Sequence, residues 1–203
     1  MKLRTTLAAL VLGMLGALVI GAPAARAEAN WDAVKKKVES AKDYFVNYDY
    51  ESTKKGKFKF EYAYVSPGKI RTKILRGSDK NVGTVIVYDV DKDPKHVIAR
   101  VGTGQLVRGL DHADVKGTSF YQSVYGLILS DVKSGKPVTK AGENIRGQAT
   151  TLFEFNVGAG GTYRIYANDN NEILRSEKLE GGRVVEKRDF TKIEWNVNPK
   201  TDF

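Results

Sequence analysis

The chain has no cysteine and only two histidines among its 203 residues. Without a thiol there is no disulfide framework, no thiolate zinc ligand and no cysteine for lipoprotein acylation, so the core alone must supply stability. His96 and His112 do not form a His-x-x-x-His pair, which removes the usual zinc spacing. There is no Gly-x-Ser-x-Gly elbow, and Gly158-Ala159-Gly160-Gly161 lacks the Lys-Ser/Thr that completes a phosphate loop. No basic run exceeds Lys35-Lys36-Lys37 and no aromatic-basic RNA motif occurs, so nucleic acid is not an expected partner. An unbroken apolar run of about 20 residues, the length that crosses a bilayer, is also missing.

The apolar run that does occur, Leu7 to Ile20, stops at Gly21 and Pro23. It follows Lys2 and Arg4 and precedes Ala25-Arg26-Ala27, the three-part pattern of a cleaved secretory signal. Residues 1–27 are therefore expected to be removed, leaving 28–203 as a single, exported, monomeric domain in the periplasm. The formal charge of +9 loses Lys2, Arg4 and Arg26 with the signal and falls to +6. A mildly basic surface of this kind suits solubility and, as candidate partners, an anionic membrane surface or an envelope protein.

Asn30 is placed to cap a helix in which Trp31, Val34, Val38, Ala41 and Phe45 recur at steps of three and four. Lys35, Lys36, Glu39, Lys42 and Asp43 occupy the other face, so the helix is expected to lie on a sheet. Beyond it the period becomes two. Phe58, Phe60, Tyr62 and Tyr64 alternate with Lys57, Lys59, Glu61 and Ala63, and Ser66-Pro67-Gly68 turns the chain into Ile70, Thr72 and Ile74. Val82 to Val90, apolar on both faces, is expected at a central or covered position, and His96 to Val101 returns as a further strand.

Strand patterning stops between Gly102 and Lys140. Within that stretch Thr118 to Val132 has helical spacing, with Thr118 or Ser119 as its cap, flanked by loops. Strands resume at Gln148 to Val157, Thr162 to Ala167, Glu172 to Leu179 and Val184 to Val197, separated by turns at Asn168–Asn171 and Glu180–Arg183. The fold class read from this order is α+β and mainly antiparallel, with about eight to ten strands.

Two acidic groupings merit a chemical reading. Asp89, Asp91 and Asp93 open like a calcium loop, but Pro94 and Val101 stand where its glycine and glutamate belong. Asp111, His112 and Asp114 are acid–base candidates in a solvated loop, the basis of an alternative reading as an envelope hydrolase. Neither carries a cofactor or metal expectation, and the favoured reading is not an enzyme. The stronger signal is the aromatic surplus on one face: Phe58, Phe60, Tyr62, Tyr64, Tyr88, Phe153, Phe155, Tyr163, Ile193 and Trp195. A curved sheet has more concave face than one helix covers, and a cavity left there would shelter acyl chains at about 0.8 kcal/mol per methylene.

This order of elements, with the turn Ser66-Pro67-Gly68-Lys69-Ile70-Arg71 and the final Phe190 to Pro199 strand, resembles the LolA-like superfamily. That superfamily takes in periplasmic lipoprotein carriers, outer-membrane lipoprotein receptors, the N-terminal domain of a sigma-factor regulator and many lipoprotein-sorting-like proteins. Where the carriers have an arginine before the proline and a phenylalanine after it, this chain has Ser66 and Ile70, which leaves the cargo open between lipoprotein and lipid. The resemblance implies a half-open, incomplete β barrel wrapped around an N-terminal helix and a short inserted helix, binding a lipid or acylated ligand without a cofactor. Phe58, Phe60, Tyr62, Ile70, Ile74, Tyr88, Phe153 and Phe155 are the expected lining, with Phe120, Tyr121, Tyr125 and Leu127 as its lid. A regulatory or scaffolding domain that binds an envelope protein with the same face is the alternative.

Overall fold

The structure is a computed structural model that describes residues 28–101, 105–111, 113–115, 117–133, 135–158 and 160–203. The expected signal segment and His112 lie outside the described residues. Asn30 caps the first helix, α1 (Trp31–Ser40), its side chain accepting from the backbone of Asp32 and Ala33 at 2.9 and 3.2 Å. The helix is shorter than the apolar spacing implied. It stops at Ser40, and Phe45 belongs to the strand that follows at once, β1 (Asp43–Ser52).

Ten further strands follow. They are β2 (Gly56–Val65), β3 (Lys69–Arg76), β4 (Val85–Asp89), β5 (His96–Val101), β6 (Gln105–Asp111), β7 (Val138–Ala141), β8 (Thr151–Asn156), β9 (Gly161–Ala167), β10 (Ile173–Glu180) and β11 (Arg183–Trp195). A second helix, α2 (Val124–Asp131), stands between β6 and β7. All strands join one antiparallel sheet in the order β6-β5-β4-β3-β2-β1-β11-β10-β9-β8-β7. Two simple meanders thus meet at a seam between the first strand and the last, and the sheet does not close on itself.

Several expectations need correction. Eleven strands replace eight to ten, because β6 and β7 lie in the stretch read as loop and helix, and β1 was not recognised as a strand. The strand β4 is third from an edge rather than central, and only Ile86 and Tyr88 on one of its faces are buried. The inserted helix starts at Val124 with Ser123 as its cap, later than either proposed cap. Thr118 instead donates its hydroxyl to the Val115 carbonyl, and Ser119 bonds a tyrosine of β1.

The core lies on the concave face. From β1 it takes Tyr44, Val46, Tyr48 and Tyr50, every second residue, as a strand wet on its other face requires. From β11 it takes Phe190, Ile193 and Trp195, whose uneven spacing reflects a bulge opposite Asn47 and Tyr48. The bulge spends one extra residue, Thr191, and so turns Ile193 and Trp195 inward where strict alternation would have sent Lys192 and Glu194. Phe190 is fully buried, 5.5 Å from the Tyr48 ring and 4.7 Å from that of Tyr125. Trp31 of α1 meets Phe155 at 4.9 Å, which fixes the helix to the β8 flank. A smaller cluster of Ile145, Tyr166 and Leu174 seals the outer face of the β8–β10 wing.

Replacing Phe190 by alanine removes the ring that joins the seam to α2. Urea unfolding should show a loss of about 3–5 kcal/mol, the usual cost of a large cavity in a packed core.

Candidate functional site

All but one of the twelve residues expected to form the cavity and its lid belong to, or pack against, a single core cluster on the concave face. Tyr62, Ile70, Tyr125 and Phe155 are wholly buried, Phe153 nearly so, and Phe60, Ile74 and Tyr88 are buried. Phe58, Phe120 and Tyr121 are half-buried at its margin. The exception, Leu127, is buried on α2 outside that cluster. The concave face is therefore occupied by the protein's own α1 and α2, and these residues touch one another across it. Sequence reasoning omitted the seam residues Tyr44, Tyr48, Tyr50 and Phe190 and the helix anchor Trp31. The alternation Tyr44, Val46, Tyr48, Tyr50 was the signal that would have found most of them.

The inserted helix is held from below by hydroxyl groups. Tyr44 exchanges a hydrogen bond with Ser123 at 2.7 Å, Tyr48 with Ser119 at 3.0 Å, and Tyr62 donates to the Gln122 carbonyl at 2.9 Å. Three tyrosines on two adjacent strands thus latch the five residues that lead into α2. Their burial makes ionisation costly: desolvation pushes the Tyr48 phenol up to about 12 and raises those of Tyr44 and Tyr62 well above their ordinary value. Further along the same face, the buried hydroxyls of Tyr125 and Thr72 have no hydrogen-bond partner among the described residues.

The latch holds a helix that is weak in itself. It has eight residues, Gly126 within its first turn, no acid near its N-terminus and no base in its last turn. Its one charge, Asp131, stands at the C-terminus, where the helix dipole disfavours an anion. Burial raises the Asp131 carboxyl above the usual carboxylate range, an effect opposed by Arg188. Arg188 is itself buried on the concave side of β11, bonded to Glu186 at 2.6 Å and 5.4 Å above the Tyr50 ring, while Tyr50 donates to Glu186 at 2.8 Å. This guanidinium is a neutralised, hydrogen-bonded part of the wall.

Two open recesses run along the helices. One, of about 500 Å³, separates α1 from α2 and is lined mainly by Trp31, Lys35, Gly126, Leu129 and Val132. The other, of about 640 Å³, shares Trp31, Lys35 and Gly135 with the first and continues past Ala29, Lys136 and Pro137 to Phe153. Together they form a trough of mixed lining, with Trp31, Leu129, Val132 and Phe153 beside Glu28, Asp32, Glu39 and several lysines, and Phe153 is the one expected lining residue that reaches it. Gly126 lines the trough beside α1, and a Cβ there would come within 3.2 Å of the Ser123 side chain. Among the described residues no group of three His, Asp or Glu side chains could hold a metal. Asp111 and Asp114 are exposed, as are Asp91 and the His96–Asp93 pair at 3.0 Å.

The latch makes two measurable predictions. A phenol whose folded pKa is raised contributes stability that is intact below about pH 10, its unfolded value, and is lost as pH climbs through the folded one. Tyrosine absorbance should therefore show delayed ionisation and unfolding between about pH 10 and 12. Tyr44→Phe and Tyr62→Phe should each speed amide exchange of residues 125–131 about five- to tenfold, the value of one hydrogen bond, with β1 and β11 unchanged. Asp131→Asn should slow the same amides about twofold at neutral pH, by removing the anion from the helix C-terminus.

No protein-family model matches the sequence, and no curated protein sequence matches it. Solved structures do. An uncharacterised conserved protein from Thermus thermophilus superposes with a TM-score of 0.52 at 11% identity, over 81% of this chain and 84% of that one. MucB matches at a TM-score of 0.46 and 16% identity, over 83% of this chain but 58% of its own. A LolA superfamily protein from Nitrosomonas europaea matches at 0.34 and 12% identity, over 83% and 94%. The last two superpose too loosely to argue from, and this chain spans less than three fifths of MucB. Geometry and comparison agree on the fold, and on the fold alone: this chain is an open antiparallel half-barrel around two helices, and it shares that fold with the Thermus thermophilus protein.

Proposed function

We propose that this chain is an exported, non-enzymatic binding or carrier protein that shelters a lipid or acylated ligand on the concave face of its half-barrel. The observation that supports this reading most is the mismatch between face and cover. An aromatic face drawn from both meanders is closed by one ten-residue helix and one eight-residue helix, and the shorter covers it with Val124, Tyr125, Leu127 and Ile128 while hydroxyl contacts pin the chain that leads into it. An acyl chain would enter along the trough over Gly126, displace α2 and replace its apolar side chains on Tyr62, Phe60 and Phe153. Each methylene buried there contributes about 0.8 kcal/mol, so a chain of ordinary length offsets the loss of the lid's own contacts. Ile70, Ile74, Tyr88 and Phe155 would complete the lining, and Phe58, Phe120, Tyr121, Tyr125 and Leu127 would move or border the opening.

The proposal includes export. Ala29, two residues past the expected cleavage point, is buried and donates its backbone N–H to Thr151 at 3.0 Å, which supports a cleavage that spares every described core contact.

Native mass spectrometry of the protein purified from the cell envelope, followed by lipid extraction, tests the reading. Acyl species at about one per chain, and their loss in Gly126→Leu, which fills the trough, are the expected results. A clean unliganded mass together with no uptake of a fluorescent fatty acid would contradict it and leave the envelope-protein reading in its place.

A further inference from the structure

Because neighbouring strands are antiparallel, the β1–β2, β3–β4 and β10–β11 connections and the C-terminal ends of β5 and β8 lie at one end of the sheet, away from the entry to α2. Four valines are exposed at that end: Val82 (44%), Val184 (42%), Val101 (39%) and Val157 (37%). Of the large apolar side chains that the described surface exposes, only Ile98, Val138 and Val197 lie elsewhere. Singly such residues mean little, but here each of four hairpins at one end of the sheet exposes one.

Cations sit between them. Lys54, Lys55, Lys80 and Arg183 are exposed on the same tips and make no ion pair among the described residues. The acids nearby are largely engaged: Glu51 by Lys57 at 3.2 Å and Glu180 by Lys178 at 3.7 Å, which leaves Asp79. The connections at the opposite end carry Asp91, Asp93, Glu143, Asp169 and Glu172 together with Lys92, Lys95 and Arg146. The hairpin end thus sets unpaired cations beside exposed valines, whereas charges of both signs stand at the other.

From this arrangement we infer that the hairpin end is a docking rim for an anionic lipid bilayer, with the valines seated among the headgroups and the lysines against their phosphates. Charge alone would suit any polyanion. Exposed valines interleaved with the cations favour a surface that has an apolar layer beneath its charges, because there they lose water as well as gaining counter-charge. Each lysine near such a surface contributes about 1 kcal/mol. Docking by this end also brings the Arg188–Tyr50 end of the concave face, with the half-buried Phe58 at its mouth, toward the membrane. Gly77 keeps that mouth free of a further side chain, since a Cβ there would come within 2.7 Å of the Phe58 ring.

The inference concerns a partner surface and stands apart from the ligand reading. Flotation of the full exported chain with vesicles of phosphatidylglycerol and phosphatidylcholine, against phosphatidylcholine alone, tests it. Binding is expected to the anionic vesicles only. Lys54→Gln with Lys55→Gln should weaken it at least tenfold, and Val82→Ser with Val184→Ser several-fold, while Val197→Ser at the other end changes nothing. All variants should take up a fluorescent fatty acid as the parent does, so vesicle binding and acyl binding can fail separately. No binding to anionic vesicles at millimolar lipid would overturn the inference. So would a valine pair that binds as well as the parent, which would mark the rim as a site for soluble polyanions.

Discussion

A tyrosine on the concave side of a sheet must bury its ring and still find a partner for its hydroxyl, because an unpaired buried hydroxyl costs about 1–3 kcal/mol. In this protein Tyr44, Tyr48 and Tyr62 face that constraint together, and the segment 119–123 resolves it by presenting two serines and a carbonyl. The position of α2 follows from this. An eight-residue helix with a glycine in its first turn and an acid at its C-terminus has little reason to form alone. It forms here because the chain before it is pinned by hydroxyls and its own Tyr125 is stacked 5.3 Å from Trp195. Removal of α2 would break no strand ladder, but it would expose Val124, Tyr125, Leu127 and Ile128, so a ligand that displaces it must cover the same apolar surface.

The sequence disclosed the frame better than the seam. Alternation in Phe58–Tyr64 and Ile70–Ile74, and the turns at Ser66-Pro67-Gly68 and Asn168–Asn171, gave hairpins close to those observed. The helix cap at Asn30 was legible because its side-chain geometry depends only on local residues. The strand β1 was not, since only Ala41 and Lys42 separate it from α1, and neither is a turn residue. The strand β7 has four residues, all exposed, and so no periodic apolar signal to read. The helix cap was misplaced because Thr118 and Ser119 satisfy the local rule but spend their hydroxyls elsewhere. Phe190 was missed for a further reason: the bulge at Thr191 breaks the period of two, and a bulge is invisible without the partner strand.

What the sequence could not supply about the site was its state. The aromatic surplus pointed to a concave face, and the structure places those residues there, but packed against the protein's own helices. The open space lies one layer out, in the trough beside Trp31 and Gly126. In the proposed function, face, lid and trough are successive stages of one path: an acyl chain first lies in the trough and then exchanges with α2. Docking by the hairpin end, as inferred, would add a direction, since it would present one mouth of the half-barrel to an anionic surface.

The central claim is that α2 and a ligand compete for the same concave face. A crystal structure of the protein with a bound single-chain fatty acid tests it most directly. The account predicts acyl density against Phe60, Tyr62 and Phe153, with α2 displaced and the Tyr44–Ser123 and Tyr62–Gln122 hydrogen bonds broken. Density confined to the outer surface, with α2 still latched on its three tyrosines, would contradict it.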